Sequence, residues 1–312
     1  MALAAEPQLS ITLVGDPDVV HAELARHDVR GLAIGVAPSE GKITDDEHPV
    51  SALRRKPRSS IVVATQLVKH GDADLVVSMG PTGASMATAV MGIGLLEGLE
   101  RPCIGGNFLG LSPNITLVDL GSNVDCRPSL LLSFAAMGVA FSRRLLNIDN
   151  PRVALLSVGE EAAKGNRQVQ ESHAVFNDSY LNFVGNVEGM DFFNDKADVI
   201  VCDGFIGNIL IKFTEGFGSA LRPYLENHLA TLLPPDQLDR LADALWDTTN
   251  KARTMGGPLF GLDGLVLVGH GSAGPEGVAG AIDTGILSHR IDLVEAFRQE
   301  LSELQRTGPL ER

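Results

Sequence analysis

At 312 residues with a formal net charge of −14, the chain is long enough to bury a large core and too acidic for a broad electrostatic grip on nucleic acid. Only 5% of the residues are aromatic against 44% hydrophobic, and the 34 glycines favour a parallel α/β architecture over an aromatic-rich β-sandwich. Cys103, Cys126 and Cys202 are widely spaced and form no CxxC pair, which gives no zinc site and reads as reduced cytosolic thiols.

The opening MALAAEPQLS has neither the basic flank nor the apolar run of a signal peptide, and no apolar stretch is expected to reach the length of a membrane span. Leu9 to Val14 reads as a strand stopped by Gly15-Asp16-Pro17, with Val19 to Arg26 a helix and Gly31 to Val36 a second strand. Pro38 to Pro49 reads as an exposed loop. Residues 54–60 (RRKPRSS) set four basic side chains before Ser59-Ser60, which can cap a helix over Ile61 to His70 that Gly71 ends. Arg58 and Ser60 there form a candidate phosphate site, although a surface basic run is more often simply solvated.

Asp74 to Ser78 is the next strand, followed by Met79 to Ala84 and an apolar helix to Leu96. Gly80, Thr82 and Gly83 make a backbone cradle suited to an anion, but match neither GxxxxGK[ST] nor GxGxxG. Ile115 to Leu120 forms a strand, Gly121 to Asp125 its turn, and Pro128 starts a helix through Phe134 and Met137. Arg152 to Val158 repeats the scheme, with the turn Gly159 to Asn166 carrying Lys164. Leu181 to Val184 leads into Gly185 to Gly189.

Val199 to Cys202 is a short apolar run, the mark of a fully buried strand, and Cys202 inside it reads as a small buried hydrophobe. Asp203-Gly204 breaks the run, and Ile209, Leu210 and Phe213 then fit helical spacing. Asp203, Asn208 and Lys212 stand at the mouth of the resulting crevice. Between Thr214 and Lys251 two helical patterns, Leu221 to Leu229 and Leu238 to Trp246, meet at Leu232-Leu233-Pro234-Pro235. This hairpin tip reads as a packing surface for another subunit, or as a shallow membrane contact through Leu232 and Leu233. Gly264 to Val268 is the last strand, with His270-Gly271-Ser272 at its end. Helices over Gly277 to Ser288 and Asp292 to Leu304 follow, and a frayed tail begins at Thr307.

In open α/β sheets ligands bind outside the carboxyl ends of the strands. The turns at 80–83, 121–125, 159–166, 203–208 and 269–272 are therefore expected to converge on one crevice, offering Thr82, Asn123, Lys164, Asn166, Asp203, Asn208 and His270. No Ser–His–Asp constellation, metal-ligand spacing or acidic ribose reader stands among them, so no cofactor or metal is expected. These residue types suit holding a small anion and stabilising a developing oxyanion.

The blocks SMGPTGA (78–84), GSNVDCRP (121–128), the KGN that ends 151–166, NFVGNVE (182–188), DVIVCDGFIGN (198–208) and GPLFGL to HGS (257–272) resemble the bacterial phosphate acyltransferases of phospholipid synthesis, the PlsX family. The resemblance runs in order from about Leu9 to about Leu287. It implies a three-layer α/β/α sandwich, similar to the isopropylmalate dehydrogenases and phosphotransacetylases but using no nicotinamide. It also implies a homodimer with a projecting helical hairpin; the chain is expected to form a single catalytic unit over 1–312 with the hairpin over 214–252, cytoplasmic or peripheral to the membrane. The implied activity moves a fatty acyl group from acyl carrier protein to inorganic phosphate. Phosphate is itself a nucleophile, and a thiol with pKa near ~8.5 leaves without a covalent enzyme intermediate. Lys164 is then assigned to phosphate or to the oxyanion, Asn166 and Asn208 to orientation, and Thr82 with its neighbouring amides to phosphate. His270 is a candidate proton donor to the thiolate, and Asp203 an orienter rather than a base.

Arg222, Arg240, Lys251 and Arg253 around the hairpin are candidates for docking the acidic carrier. Two other readings stay open: a weakened homologue that binds acyl carrier protein or acyl chains, and a small-acyl phosphotransacetylase using coenzyme A. The family opens with a strand ending in Asp-Ala-Met-Gly-Gly-Asp ahead of the segment matching Leu9 to Val14. The expectation is either a start upstream of Met1, or a chain without one sheet edge and part of the pocket. Where the family has Gly-Asn-Thr-Gly, this sequence has Gly80-Pro81-Thr82-Gly83, and Pro81 removes one N–H from the cradle.

Overall fold

Val199, Ile200 and Val201 are wholly buried although their side chains alternate between faces, as a strand covered by helices on both sides requires. The computed structural model describes residues 3, 6, 8–107, 109–250 and 255–307. In chain order these give β1 (Ile11–Gly15), α1 (Pro17–Leu24), β2 (Ile34–Pro38), α2 (Pro49–Arg55), α3 (Ser60–His70), β3 (Leu75–Ser78), α4 (Thr82–Gly92), β4 (Cys103–Gly106) and β5 (Thr116–Val118). There follow α5 (Pro128–Leu146), β6 (Val153–Leu156), α6 (Arg167–Asn177), β7 (Phe183–Val187), a 3-10 turn (Gly189–Phe193), β8 (Val199–Val201), α7 (Gly204–Leu229) and α8 (Pro235–Thr249). β9 (Gly257–Phe260), β10 (Leu265–Val268), α9 (Pro275–Arg290) and α10 (Leu293–Thr307) complete the described chain.

Among the described residues eight strands form one sheet in the order β3-β10-β9-β4-β5-β8-β6-β7, while β1 and β2 pair only with each other. β3 runs parallel to β10, and β5, β8, β6 and β7 run parallel to one another. Between the two groups lie antiparallel steps from β10 to β9, β9 to β4 and β4 to β5. Three reversals leave the β5 group pointing opposite to β3 and β10. The short strands β4 and β9, CIGG and GPLF, carry glycine and proline and read as turns in sequence, so this inversion has no mark there.

The layers are those of an α/β/α sandwich. On one face Val118, Val199 and Val201 join Phe134, Met137 and Phe141 of α5 and Phe297, Leu301 and Leu304 of α10 in the largest core cluster. On the other, Leu117 and Ile200 meet Phe192, Leu210 and Ile211. α5 is 19 residues long and apolar enough to cross a membrane by length and composition, contrary to the expectation that no stretch is. It is instead the central core helix, with 67% of its apolar window buried in protein.

The hairpin also departs from expectation. Its first helix is not a separate element over Leu221 to Leu229 but the continuation of α7, one 26-residue helix that carries Pro223 in its interior. Leu225, Leu238 and Ala242 form the hairpin's own small core, and Leu233 packs against it. Only Leu232 of the two tip leucines stands out, 73% exposed.

Candidate active site

The site is built on an acid concealed in an apolar strand pattern. Asp119 directly follows β5 and has no solvent exposure. A buried carboxylate has to be hydrogen-bonded, and this one accepts the N–H groups of Gly121 (3.0 Å), Ser122 (2.8 Å) and Asn123 (2.8 Å) and the Asn123 side-chain amide (2.8 Å). Burial pushes the Asp119 carboxyl up, and these donors oppose the shift. Asn123 also donates to the Pro102 carbonyl at 2.9 Å, so it holds the turn rather than facing the crevice.

The first turn of α7 lies directly on this knot. Gly204 N–H donates to the Asn123 carbonyl at 2.7 Å, and a Cβ at Gly207 would sit 1.8 Å from the Asp119 carbonyl oxygen. A side chain at Gly207 has no room, which explains why glycine stands where the helix meets the turn. Asn208 is consequently pressed against Gly121, whose hypothetical Cβ would be 3.2 Å from that of Asn208. From there Asn208 lines a cavity of about 1760 Å³.

Gly80, Thr82, Ser60 and His270 line the same cavity. Their approach follows from the β3–β10 pairing: Gly269 N–H donates to the Ser78 carbonyl at 2.9 Å, carrying the ladder into the turns beyond both strands. The Ser78 hydroxyl lies 2.8 Å from that of Ser85 and accepts the Gly80 N–H at 3.3 Å, which shapes the turn. α4 starts at Thr82 with Pro81 as its cap, so its first amides are among the donors that a helix cannot pair internally. Lys212 is in the lining too, held 2.8 Å from Glu215. Leu13, Leu75, Val77 and Ile282 supply apolar wall.

Other expected site residues lie elsewhere. Lys164 and Asn166 sit on the turn after β6 and are not in the cavity lining; the Lys164 side chain covers Gly159, and Asn166 caps α6 by accepting the Val169 N–H at 2.9 Å. Asp203 is likewise outside the lining and caps α7, accepting the Ile206 N–H at 2.9 Å. The five turns therefore do not all converge on one crevice. β6 lies beyond β8 in the sheet order, one strand further from β3 and β10 than the strand whose turn carries Asn208 into the cavity. Arg58 pairs with Glu40 at 2.9 Å on the surface, and Gly83 packs toward the Pro49 ring. Of the docking candidates, Arg222 is ion-paired with Asp243 and Asp239, Arg240 is exposed on α8, and Lys251 and Arg253 lie outside the described residues.

The three thiols are buried close to Asp119. Burial pushes Cys103 and Cys202 well up, and raises Cys126 to about 12. Thiols so held are poor nucleophiles. Among the described residues no group of three or more His, Cys, Asp or Glu is placed to hold a metal ion.

Comparison with known proteins agrees with this architecture. The profile of a family described as "Fatty acid synthesis protein" matches residues 1–292. A phosphate acyltransferase of Pelotomaculum thermopropionicum is 38% identical over 315 residues, covering 98% of this chain and 91% of the relative. One from Heliobacterium modesticaldum is 41% identical over 308 residues, covering 96% and 90%. Among solved structures, the EutD phosphotransacetylase from Staphylococcus aureus superposes with a TM-score of 0.55 at 16% identity, covering 94% of this chain and 88% of its own. A branched-chain phosphotransacylase from Enterococcus faecalis gives 0.51 at 15% identity, covering 90% and 100%. At those identities the two structures bear on the fold alone.

Proposed function

The chain belongs to the fatty acid synthesis protein family of phosphate acyltransferases, and from that premise we propose that its acyl donor is the thioester of an acyl carrier protein and its product an acyl phosphate for phospholipid synthesis. It is an acyltransferase that uses phosphate as acceptor. The observation that carries the finer reading is one cavity that joins an amide-rich turn, Asn208 and His270 to apolar walls. A small anion and a long hydrocarbon chain need such neighbouring surfaces. In this reading phosphate sits against Gly80, Thr82 and the first amides of α4, and Asn208 orients the thioester carbonyl. His270 meets the charge that develops on the departing group. The protein's task is to bring the two reactants together and to offset charge at the reacting carbon.

The active form is a homodimer in this proposal. Phe205, Ile209, Phe213 and Phe217 recur every fourth residue along α7 and are all about half exposed or more. An apolar stripe of that length on a helix surface marks a packing face. The carrier docks near the hairpin, where exposed Arg240 remains a contact candidate.

The test mixes purified protein with long-chain acyl carrier protein and phosphate and traps acyl phosphate as its hydroxamate. The expected result is product that requires both reactants, with acyl-coenzyme A a poorer donor. A preference for short acyl-coenzyme A would replace this reading with a small-acyl phosphotransacetylase. Tight carrier binding without product would replace it with a binding protein.

A further inference from the structure

The turn after β10 holds a histidine in one tautomer. Ala273 N–H donates to the His270 carbonyl at 2.8 Å and closes the turn. Inside it, the Ser272 hydroxyl lies 2.8 Å from His270 Nδ1, and the Ser272 backbone N–H donates to the same nitrogen at 3.3 Å. A backbone amide can only donate, so Nδ1 must carry its lone pair, and the hydroxyl is then a donor as well. The ring hydrogen is therefore on Nε2. Glycine makes the arrangement fit: a Cβ at Gly269 would lie 2.5 Å from Met79 Sδ, and one at Gly271 would lie 3.3 Å from the Met79 carbonyl oxygen. The turn is thus seated on the start of the 79–82 loop, and both His270 and Ser272 line the cavity.

We propose that Ser272 is a positioning residue that fixes His270 as the neutral Nε2–H tautomer, so that the ring serves the acyl transfer as a hydrogen-bond donor and not as a proton donor. The inference rests on the acyltransferase reading above. A neutral imidazole that gave up its only N–H would become an imidazolate, a far stronger base than the thiolate it served, whose thiol has pKa near ~8.5. The proton balance does not need it. Hydrogen phosphate attacks the thioester carbon; the new bond is phosphate oxygen to carbon, and the bond broken is carbon to sulfur. The electron pair leaves with sulfur, and the proton that sulfur takes is the one hydrogen phosphate brought. Acyl phosphate and free thiol result, with the charge unchanged. His270 stabilises the charge at sulfur or at the carbonyl oxygen by donating a hydrogen bond.

The experiment labels the histidine rings of the intact protein with 15N and records ring nitrogen–carbon-bound hydrogen correlations at about pH 8.5, well above an ordinary histidine pKa. His270→Gln identifies the His270 signals among the eight histidines. The wild type is expected to show the Nε2–H pattern, and Ser272→Ala, which loses the 2.8 Å hydroxyl contact and keeps only the longer backbone N–H one at 3.3 Å, a mixture with Nδ1–H. In turnover, Ser272→Ala is expected to lose about five- to tenfold in kcat with KM for phosphate within about twofold, from one lost hydrogen bond. Ser272→Thr, which keeps the hydroxyl, is expected to restore both the tautomer and kcat. An Nδ1–H pattern in the wild type overturns the proposal, and so does a Ser272→Ala protein with wild-type signals and turnover. If the wild type makes no acyl phosphate yet shows the Nε2–H pattern, the acyltransfer reading fails and the tautomer assignment stands.

Discussion

Asn208 owes its position to packing against Gly121, a residue far from it in sequence. It is held where it is by Gly121, Gly207 and the Asp119 knot, none of which touches substrate in the proposed arrangement. Removing its amide leaves that packing in place and deletes only the polar group facing the cavity. Asn208→Ala is therefore expected to fold normally and to lower kcat by about 10–100-fold, in the range of a lost oriented donor. Steady-state kinetics alongside thermal denaturation checks this; an unchanged kcat would place the thioester elsewhere. At this scale the sequence is only partly readable. Asn208, Thr82 and His270 announce themselves as polar groups beyond strand ends and do share a cavity. Asp119 does not, because a lone acid at the end of an apolar strand reads as solvent-facing. Its signal was the Gly-Ser-Asn that follows, three residues able to wrap amides around a carboxylate.

The helix that carries Asn208 shows how one residue type does opposite things along one element. Gly207 abuts the Asp119 carbonyl oxygen, whereas nothing lies within 4 Å of a Cβ added at Gly216. Gly207→Ala is expected to cost about 3 kcal/mol or more through forced backbone shifts, and Gly216→Ala to add about 0.5–1 kcal/mol by helix propensity. Chemical denaturation of the two variants measures the contrast. At the far end of the sheet, Arg152 binds Asp198 through its side chain (2.9 and 3.0 Å) and its backbone N–H (2.7 Å). Burial alone would push the Asp198 carboxyl up, but these hydrogen bonds and the guanidinium charge together hold it below its ordinary value. A carboxylate with a depressed folded pKa stabilises fully above its unfolded pKa, near ~3.9, and stops doing so as pH falls through the folded value. Arg152→Met is thus expected to lower the Tm by several degrees at pH 7. The gap to the wild type should close below about pH 4, as followed by calorimetry. Strands and helices with long periodic runs were legible at this scale. β4 and β9 were not, because they are short and carry glycine or proline, and α2 was not, because its seven residues are too few to show a helical repeat.

Across the whole molecule, the arrangement rests on two parallel groups of strands turned head to tail by β9 and β4. Two of the three antiparallel steps are local (Leu267 with Pro258, Gly105 with Val118), but the one that joins the groups pairs Cys103 with Phe260, segments far apart in the chain that local sequence does not connect. Strand direction alone does not decide which turns meet: Gly121 and Asn208, after β5 and β8, line the cavity with Gly80 and His270, while Lys164 and Asn166, after the parallel strand β6, do not. The proposed dimer face also belongs here. Phe213 is 70% exposed in the middle of the α7 stripe, and Phe213→Glu puts a charge where a partner would pack. Sedimentation is expected to show a dimer for the wild type and a monomer for this variant; two identical profiles would remove α7 from the interface.

β1 and β2 form a ribbon with no ladder to the eight-stranded sheet, although β1 and β3 both line the cavity and α3 packs on both. The segment after β2 is tied to the start of α3 by the Glu40 N–H to the Arg58 carbonyl (2.7 Å) and the Ser60 N–H to the Gly41 carbonyl (3.2 Å), but β1 itself has no ladder to β3, so that side of the cavity is expected to open more readily than the central sheet. Deuterium uptake should report it directly, with the amides of Ile11–Gly15 exchanging far sooner than those of Val199–Val201.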